Sequence, residues 1–362
     1  MKQRWIAVAQ AFKWGMLFWL LAAGVVSQAN AQNDKPTEIR IGVPDQSAGN
    51  KPFIAGPLGL AHIQRQFEQA FEPQGIKIKW SFFKGAGPAV NEALANRQLD
   101  IAYLGDLAAI IGRAGGLQTR FLLGVRGSHS YLAATPESGI KTLADIKGKR
   151  VAVYRGTADQ LAFDRALASV GLSERDVRVI NLDWAAGRAA LAARRIDAVW
   201  GGVSLLTLRE QGIAIVADSG ELGRANTTQA GVVATQDFIT HYPQVTQQLV
   251  DILVQNAHWI SQPDNTAAYV EKLEAQSWIP QALFLAELQP AELNFRSSPR
   301  LDAFLQASLQ DSVDRAKAAG LIRTAFTVDS WFDGQFVEQA LKTLQLEPVW
   351  PRYGADGQAV PQ

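Results

Sequence analysis

Two stretches of the chain, 97 residues apart, share one pattern of apolar and polar positions. In residues 93–105 and again in residues 190–202, an alanine-rich run with arginine on one side leads to an aspartate, a short apolar run and a glycine. The first run is typical of a helix, and the apolar run is typical of a parallel strand buried on both faces. The repeat predicts two α/β lobes of similar build, although helix-then-strand units also resemble one another by chance in doubly wound proteins.

The same patterning predicts alternating strands and helices up to about residue 235 and mainly helices after it. We expect strands at 38–43, 76–83, 101–104, 120–125, 131–135, 151–154, 177–182 and 198–200, with helices at 56–71, 88–97, 157–170, 186–195 and within 245–343. The predicted fold class is α/β, with two doubly wound lobes, a hinge of two crossings near 127–130 and 226–231, and C-terminal helices on lobe one. Since ligands of open α/β sheets bind beyond the carboxyl ends of the strands, both glycine loops are expected to line a cleft between the lobes.

Residues 1–31 have the anatomy of a secretory signal. Three basic residues and no acidic residue accompany an apolar stretch at 15–26, and the segment ends in Ala29-Asn30-Ala31. This stretch is shorter than the roughly 20 residues that a membrane-spanning helix needs. We therefore predict cleavage after Ala31 and export to the periplasm, with an uncleaved anchor as the alternative. Because the chain has no cysteine, we expect no lipoprotein anchor, disulfide or thiolate metal site.

Charge and motifs argue against most other functions. The formal net charge is +1, which does not favour a nucleic-acid partner. The four histidines are far apart and lack metal-ligand spacing, and there is no G-x-S-x-G elbow or complete phosphate loop. We therefore predict no metal, no cofactor and no enzymatic activity. An exported hydrolase that uses His129 with Ser128 or Ser130 remains a distant alternative.

Four predicted junctions between a strand and a helix form a candidate anion site. Helix N-termini present unpaired N–H groups to sulfonate, sulfate or carboxylate oxygens, and small residues let the backbone come close. Arg155 would add a charge-assisted contact, while Thr157 and Gln160 also fit a capping box that only starts a helix. The candidate ligand-binding residues at these junctions and at the first crossing are Gln46, Ser47, Gly49, Gly85, Ala86, Gly87, Gly105, Asp106, Ser128, His129, Arg155, Gly156 and Thr157.

Several segments resemble a known family. Residues 145–153, D-I-K-G-K-R-V-A-V, are similar to the D-L-K-G-K-x-V-A-V segment that opens the second lobe of type II periplasmic binding proteins. Residues 80–106, 122–131, 321–323 and 328–331 resemble the taurine, aliphatic sulfonate and nitrate branch of ABC-transporter solute receptors. The similarity covers nearly all of 38–335.

The resemblance implies a two-lobed, monomeric receptor that closes on a small anion and delivers it to a membrane permease. Lobe one would comprise residues 32–128 and 228–362, and lobe two residues 129–227. The expected ligand is a small organosulfur anion, such as an alkyl or aryl sulfonate or a sulfate ester. Taurine, nitrate and a nitrogenous heterocycle remain alternatives.

Two positions depart from the family pattern. Asp183-Trp184 stands where relatives commonly carry Pro-Pro, and Trp200-Gly201-Gly202 stands where they carry Trp-x-Pro. We accordingly assign an apolar wall for a larger organic tail to Trp184 and Trp200, with Tyr103 as a third candidate, since receptor pockets are mostly apolar with a few fixed polar groups. Gly201 is a further candidate ligand-binding residue. The alternative is that both tryptophans belong to the core.

Overall fold

The first half of the architecture is a mixed sheet of five strands. In the computed structural model, which describes residues 35–47, 49 and 51–361, this sheet has the order β2-β1-β3-β10-β4. The first three strands run parallel, and β10 runs antiparallel to both of its neighbours. The strands are β1 (Glu38–Pro44), β2 (Lys77–Phe83), β3 (Ile101–Gly105), β4 (Thr119–Ser128) and β10 (Thr228–Thr235). The predicted signal segment and its cleavage site lie outside the described residues.

A second sheet repeats this arrangement. Its order is β7-β6-β8-β5-β9, again with three parallel strands followed by one strand antiparallel to both neighbours. The strands are β5 (Tyr131–Ala134), β6 (Arg150–Val153), β7 (Arg178–Asn181), β8 (Ala198–Gly201) and β9 (Ala214–Asp218). Strand β9 was not predicted from the sequence. Residues 37–362 form one compact unit.

Helices pack on both sheets, and seven of the described helices come after β10, the last strand in the chain. Up to β10 they are α1 (Gly56–Ile63), α2 (Gln66–Phe71), α3 (Ala86–Ala95), α4 (Asp106–Ala114), α5 (Ala158–Ser169) and α6 (Trp184–Ala192). After β10 come α7 (Gln236–His241), α8 (Pro243–Ser261), α9 (Thr266–Ser277), α10 (Gln281–Glu287), α11 (Pro290–Ser297), α12 (Ala303–Ala318) and α13 (Gln335–Thr343). Among the described residues, no helix is both long and apolar enough to cross a membrane.

The sequence repeat occupies the same place in both sheets. It comprises α3 with β3 in the first sheet and α6 with β8 in the second, and each strand is the third of its sheet. The aspartate of each copy forms hydrogen bonds to an arginine of the neighbouring parallel strand, which is β1 in the first sheet and β6 in the second. Asp100 accepts hydrogen bonds from the backbone N, Nε and Nη2 of Arg40 at 2.8, 3.0 and 2.6 Å, and Asp197 accepts the same three from Arg150 at 2.7, 3.3 and 2.9 Å.

The chain passes between the sheets twice. The first connection, between β4 and β5, consists of His129 and Ser130, and the second runs over residues 219–227. The connections touch each other, because the Ser130 backbone donates a hydrogen bond to Ser219 Oγ at 2.8 Å. The predicted lobe boundaries, after residue 128 and before residue 228, fall at these connections. That the two parts move as separate lobes stays a prediction.

Two local expectations were wrong. The predicted helix at 56–71 is divided into α1 and α2 at Arg65, which has a left-handed backbone with φ of 54°. The capping box of Thr157 and Gln160 does not form, since Thr157 Oγ1 donates to the Tyr154 carbonyl and Gln160 Oε1 accepts from Gly156 N. The capping box fits the sequence, but the backbone groups of Tyr154 and Gly156 bind the two side chains instead.

Candidate functional site

A cavity of about 210 Å³ lies between elements of the two sheets. The first sheet contributes side chains from β3, β4 and β10, and the second contributes residues from α5, α6 and the loop after β8. Helices α8 to α11 cover it with apolar residues. The cavity therefore meets groups from both sheets and from the C-terminal helices.

Four of the predicted ligand-binding residues line this cavity. They are Gln46 after β1, Ser128 and His129 at the first connection, and Trp184 at the start of α6. Asp183 caps α6 by accepting a hydrogen bond from Ala186 N at 2.7 Å, which places Trp184 at the first helical position. The Asp183-Trp184 pair that departs from the family pattern thus directs an aromatic ring to the cavity.

The predicted glycine loops pack against each other instead. A Cβ on Gly105 would lie 2.8 Å from the Cβ of Ala158, and a Cβ on Gly87 would lie 2.2 Å from that of Ala108 and 3.6 Å from the Gly156 carbonyl. The absence of a side chain at Gly87 and Gly105 allows these helix starts to pack closely, so protein atoms fill the space that a ligand would need. Gly85, Ala86 and Thr157 belong to the same helix starts and do not line the cavity.

Asp106 and Arg155 have protein partners away from the cavity. Asp106 is fully buried, where it accepts hydrogen bonds from Ser312 Oγ and Leu107 N at 2.8 and 2.7 Å and lies 3.7 Å from Arg165. Burial raises the pKa of Asp106, an effect that Arg165 opposes. Arg155 is exposed and forms an ion pair with Glu174. The sequence could not reveal the side-chain partners of Asp106, because Arg165 and Ser312 lie 59 and 206 residues further along the chain.

The remaining predicted residues also lie elsewhere. Trp200 is buried in the core of the second half, with its ring 5.7 Å from that of Phe163, and with Gly201 it borders a separate space of only about 10 Å³. Ser47 donates to the Gly49 carbonyl within the loop after β1. Of the three aromatic residues assigned to the apolar wall, Trp184 and Tyr103 line the large cavity.

Two tyrosines supply hydroxyl groups to the cavity. Tyr269 Oη accepts a hydrogen bond from Gly56 N at 2.8 Å, and neither Tyr269 nor Tyr103 donates its own hydroxyl proton to any described residue. Burial raises the pKa of Tyr269 to about 12 and also raises that of Tyr103. Both hydroxyls are therefore neutral hydrogen-bond donors at physiological pH.

The basic groups of the cavity wall already have acidic partners. Arg126 is fully buried and binds Asp302 at 2.9 Å, Arg296 binds Glu287 at 3.1 Å, and His129 Nδ1 lies 2.9 Å from Asp218. Tyr131 also donates to Glu287, at 2.9 Å. The two arginines of the wall thus carry charges that are balanced within the protein.

Asp159, on the first turn of α5, lacks such a partner. Its Oδ1 accepts from Ser130 Oγ and its Oδ2 accepts from Trp184 Nε1, each at 2.8 Å, and among the described residues it makes no ion pair. Burial raises the pKa of Asp159, whereas these two hydrogen bonds lower it. Within the described residues, no group of histidine, aspartate and glutamate side chains is arranged to hold a metal ion.

Sequence reasoning missed Asp159, Tyr269, Arg126 and Arg296. Asp159 stands two positions after Thr157, so the predicted loop at 155–157 identified the right segment but the wrong residues. The others lie on a strand edge or on helices after residue 235, where the pattern shows only amphipathic periodicity. No local signal distinguishes the helical residues from ordinary core positions.

A family model described as NMT1/THI5 like matches residues 71–266, which is more than half of the chain. A relative from Bacillus subtilis (strain 168), provisionally named an aliphatic sulfonates-binding protein, is 31% identical over 206 residues, or 56% of this chain and 59% of that protein. The chain spans about three fifths of the length of the curated relatives that it matches first.

Solved structures share the architecture. The periplasmic sulfonate-binding protein SsuA of Methylobacillus flagellatus KT matches with a TM-score of 0.76 and 29% identity, over 88% of this chain and 97% of that chain. The alkanesulfonate-binding protein SsuA of Xanthomonas axonopodis pv. citri, bound to MOPS, matches with a TM-score of 0.69 and 26% identity, over 83% and 99%. The predicted fold class is confirmed.

These relatives are named as binding proteins rather than enzymes. The desulfurization enzyme DszB has the same fold at 18% identity, a likeness that concerns the fold alone. The resemblance drawn from the sequence is confirmed by the family model and by the sulfonate-binding structures. From the match over residues 71–266, the chain belongs to the NMT1/THI5-like family.

Proposed function

We propose that the protein is the periplasmic solute receptor of an ABC importer and captures a small organosulfur anion, such as an alkyl or aryl sulfonate or a sulfate ester, in the cavity between the two sheets. The observation that carries the proposal is a cavity lined by tyrosine hydroxyls with unused protons in a chain whose relatives are named for sulfonate binding. The protein would act as a monomer that hands its ligand to a membrane permease.

The hydroxyls of Tyr103 and Tyr269 are suited to sulfonate oxygens, which accept hydrogen bonds but cannot donate them. Helix α1 begins beside them, and its first turn has no acidic residue and no side-chain cap. Its N-terminal end therefore adds a partial positive charge next to the hydroxyls. Neutral donors of this kind bind an anion without requiring a free basic side chain.

Ligand capture would proceed by closure about the two connections at 129–130 and 219–227. A ligand that touches Tyr103 from the first sheet and Trp184 from the second interacts with both parts only when they are close together. Such a ligand shifts the population toward the closed form by its differential affinity. The closed form would be the one that docks on the permease.

Thermal unfolding with a ligand panel tests this function. The panel comprises alkyl and aryl sulfonates, sulfate esters, taurine, nitrate and inorganic sulfate. A true ligand at about 100 times its dissociation constant adds about 2.7 kcal/mol to the free energy of unfolding, and each kcal/mol raises Tm by about 2 to 4 °C in a protein of this size. Absence of any shift with the organosulfur members would contradict the proposal.

Conservative variants then test the hydroxyls. Tyr103→Phe should weaken sulfonate binding by about tenfold, because one hydrogen bond to a charged group contributes about 1.5 kcal/mol. The same change should leave the Tm of the unliganded protein nearly constant, since this hydroxyl donates to no acceptor among the residues that the structure describes. Tyr242→Phe is the matched control because Tyr242 packs on Phe238 away from the cavity. Equal affinities for Tyr103→Phe and the wild type would remove Tyr103 from the site.

A second variant tests the predicted apolar wall. Trp184→Ala should weaken binding of an aryl or long alkyl sulfonate much more than that of a short one, because only the larger tail would reach the indole ring. Titration of both ligands into the wild type and the variant measures the two ratios. Equal losses would show that Trp184 does not contact the tail.

A further inference from the structure

Helix α5 packs into the cores of both halves of the molecule. Phe163 and Leu167 are fully buried in the apolar cluster of the second sheet. Leu161 is also fully buried, but it lies in an apolar cluster of the first half, with residues of β3, α4 and α12. Residues 158, 161 and 165 share one face of a helix, because residues three and four positions apart are neighbours there. This face of α5 is therefore turned toward the first half.

Arg165 lies on this face and binds residues of the first half. Its side chain is 4% exposed, its Nε donates to Asp311 at 3.0 Å and its Nη2 donates to Ser312 Oγ at 2.5 Å. Ser312 Oγ in turn donates to Asp106 at 2.8 Å, and Arg165 Nη1 lies 3.7 Å from the same carboxylate. One arginine of the second half thus connects to α4 and α12 of the first half.

Asp311 supplies the negative charge of this contact. Burial raises its pKa, but the hydrogen bond from Arg315 and the charge and hydrogen bond of Arg165 outweigh that effect, so the pKa of Asp311 lies below its ordinary value. Asp311 is therefore ionised at physiological pH, and an arginine is always protonated there. Asp106, whose pKa is raised by burial, accepts the hydrogen bond of Ser312 whether or not it is ionised.

Further contacts between the halves lie outside the ligand cavity. Tyr154 Oη donates to the Lys84 carbonyl at 3.1 Å, and Gly105 packs so closely on Ala158 that it has no room for a side chain. Neither these four residues nor those bound by Arg165 line the cavity of about 210 Å³. All of these contacts form without a ligand, and separation of the halves would break them.

We propose that Arg165 is a latch, formed with Asp311, Ser312 and Asp106, that keeps the ligand-free receptor mainly in the closed form. Ligand then enters during brief openings, in which Arg165 exchanges its partners for water. The latch raises the affinity for ligand, because apparent affinity is reduced when only a fraction of the receptor is competent to bind. The inference rests on the proposed function for what the closed form binds, whereas the closed form itself is measured without a ligand.

Distances between two spin labels measure the closed fraction. The chain contains no cysteine, so Asn96→Cys and Ala193→Cys place one label on each half. Both residues are exposed, and they are the C-caps of α3 and α6, the equivalent helices of the sequence repeat. The labelled full mature protein without ligand should show one main distance, that of the arrangement in the structure.

Arg165→Gln in the labelled protein tests the latch. Without ligand it should add a longer distance, because glutamine carries no charge and cannot bind Asp311 and Ser312 as a fork. Arg315→Gln is the matched control and should keep the single distance, since Arg315 binds Asp311 within α12 and does not cross between the halves. If Arg165→Gln does not fold, Asp311→Ala removes the same crossing bond at a partly exposed residue.

Titration with butanesulfonate gives a second measurement. The Kd of Arg165→Gln should be at least about tenfold higher than that of the wild type, as expected if the closed fraction falls to a tenth. Arg315→Gln should bind butanesulfonate as the wild type does. An equal Kd for the wild type and Arg165→Gln would contradict the latch.

Two results of the distance measurement would overturn the latch. One is the same distance distribution in the wild type and in Arg165→Gln, even if the variant has a lower Tm, because Arg165 would then only stabilise the fold. The other is a ligand-free wild type that shows mainly the longer distance. Failure of every organosulfur anion to bind would overturn the proposed function, and the ligand-free distances would still decide the latch.

Discussion

The two sheets share a topology but differ in how their fifth strand is held. In the first sheet, β4 is anchored by Arg126, which is completely buried and binds Asp302 at the start of α12. In the second sheet, β9 ends at Asp218, which pairs with His129 in a position where both side chains are partly exposed. The repeated unit of helix and strand is thus common to both halves, whereas the edge strands β4 and β9 differ in how deeply their charged residues are buried.

The difference follows from where the chain goes after each sheet. Helices α7 to α13 follow β10, and several of them, including α11 and α12, enclose the edge of the first sheet. The second sheet has no comparable cover among the described residues, and four of the five residues of β9 are partly exposed. Equivalent strands therefore experience different burial, and a buried charge pair is placed only where helices exclude water.

The largest expected effect is on the buried pair of the first sheet. Asp302→Ala leaves the Arg126 charge buried without a partner and should lower the free energy of unfolding by about 4 kcal/mol. Chemical denaturation measures the loss. Asp237→Ala is the control, because its partner His241 is at the surface and such pairs contribute at most about 1 kcal/mol. Equal losses for the two variants would mean that the edge of the first sheet is not specially anchored.

A smaller effect concerns a titratable group of the second half. Burial and the neighbouring Glu174 raise the pKa of Asp164 on α5 to about 7, from an ordinary value of 3.8. The folded state therefore retains a proton that the unfolded state loses, so the stability contribution of Asp164 is full below about pH 4 and is lost as the pH rises to about 7. A difference of about 3 in pKa corresponds to about 4 kcal/mol. Because Asp164 is partly exposed, solvent screening reduces the expected loss of stability to about 3 kcal/mol.

Comparison with Asp164→Asn isolates this group. Asparagine keeps the size of the side chain without titrating, so the stability of the wild type relative to the variant should fall between pH 4 and pH 7 and stay constant above that range. Unfolding curves at four or five pH values suffice. A difference that does not depend on pH would show that Asp164 ionises normally in the folded protein.

The smallest expected effect concerns the two aspartates of the sequence repeat, Asp100 and Asp197. Asp100→Ala should lower the free energy of unfolding by about 2 kcal/mol, because three hydrogen bonds to Arg40 are lost at a buried site. Asp197→Ala removes the same three bonds to Arg150 but should lower the denaturation midpoint less, since that pair is more exposed to water. If the order of the two losses were reversed, burial would not be what distinguishes the halves.

Much of the fold was predictable from local patterns, and the exceptions are instructive. The strands of both sheets were predicted within a few residues, with the exception of β9 (Ala214–Asp218). This strand follows a 3₁₀ helix at Val203–Gln211, so the alternation of strand and α-helix that predicted the other strands is interrupted before it. The break at Arg65 was missed because the helical periodicity continues across it. Local patterns identify elements well when burial and periodicity agree, and less well at edges and breaks.

The candidate site was predictable only in part. Asp183 and Trp184 were recognised as unusual from the sequence alone, and Trp184 does line the cavity. Asp106 was expected at the cleft, yet its partner Ser312 lies 206 residues further along the chain. Trp200 and Trp184 could not be told apart, because a strand residue buried on both faces and a helix residue at a cavity have the same apolar side chain.

The sequence by itself determined the repeated α/β units, the paired aspartates and the family, because these depend on periodicity and on short segments of chain. The tertiary structure alone decided which polar groups face the cavity and which charges have partners there. Tyr269 and Arg296 reach the cavity from helices that follow β10 in the chain, and Asp159 makes no ion pair among the described residues, whereas Arg126 and Arg296 are bound to other acids. Such a balance of charges is a property of distances in the folded chain, which no local pattern contains.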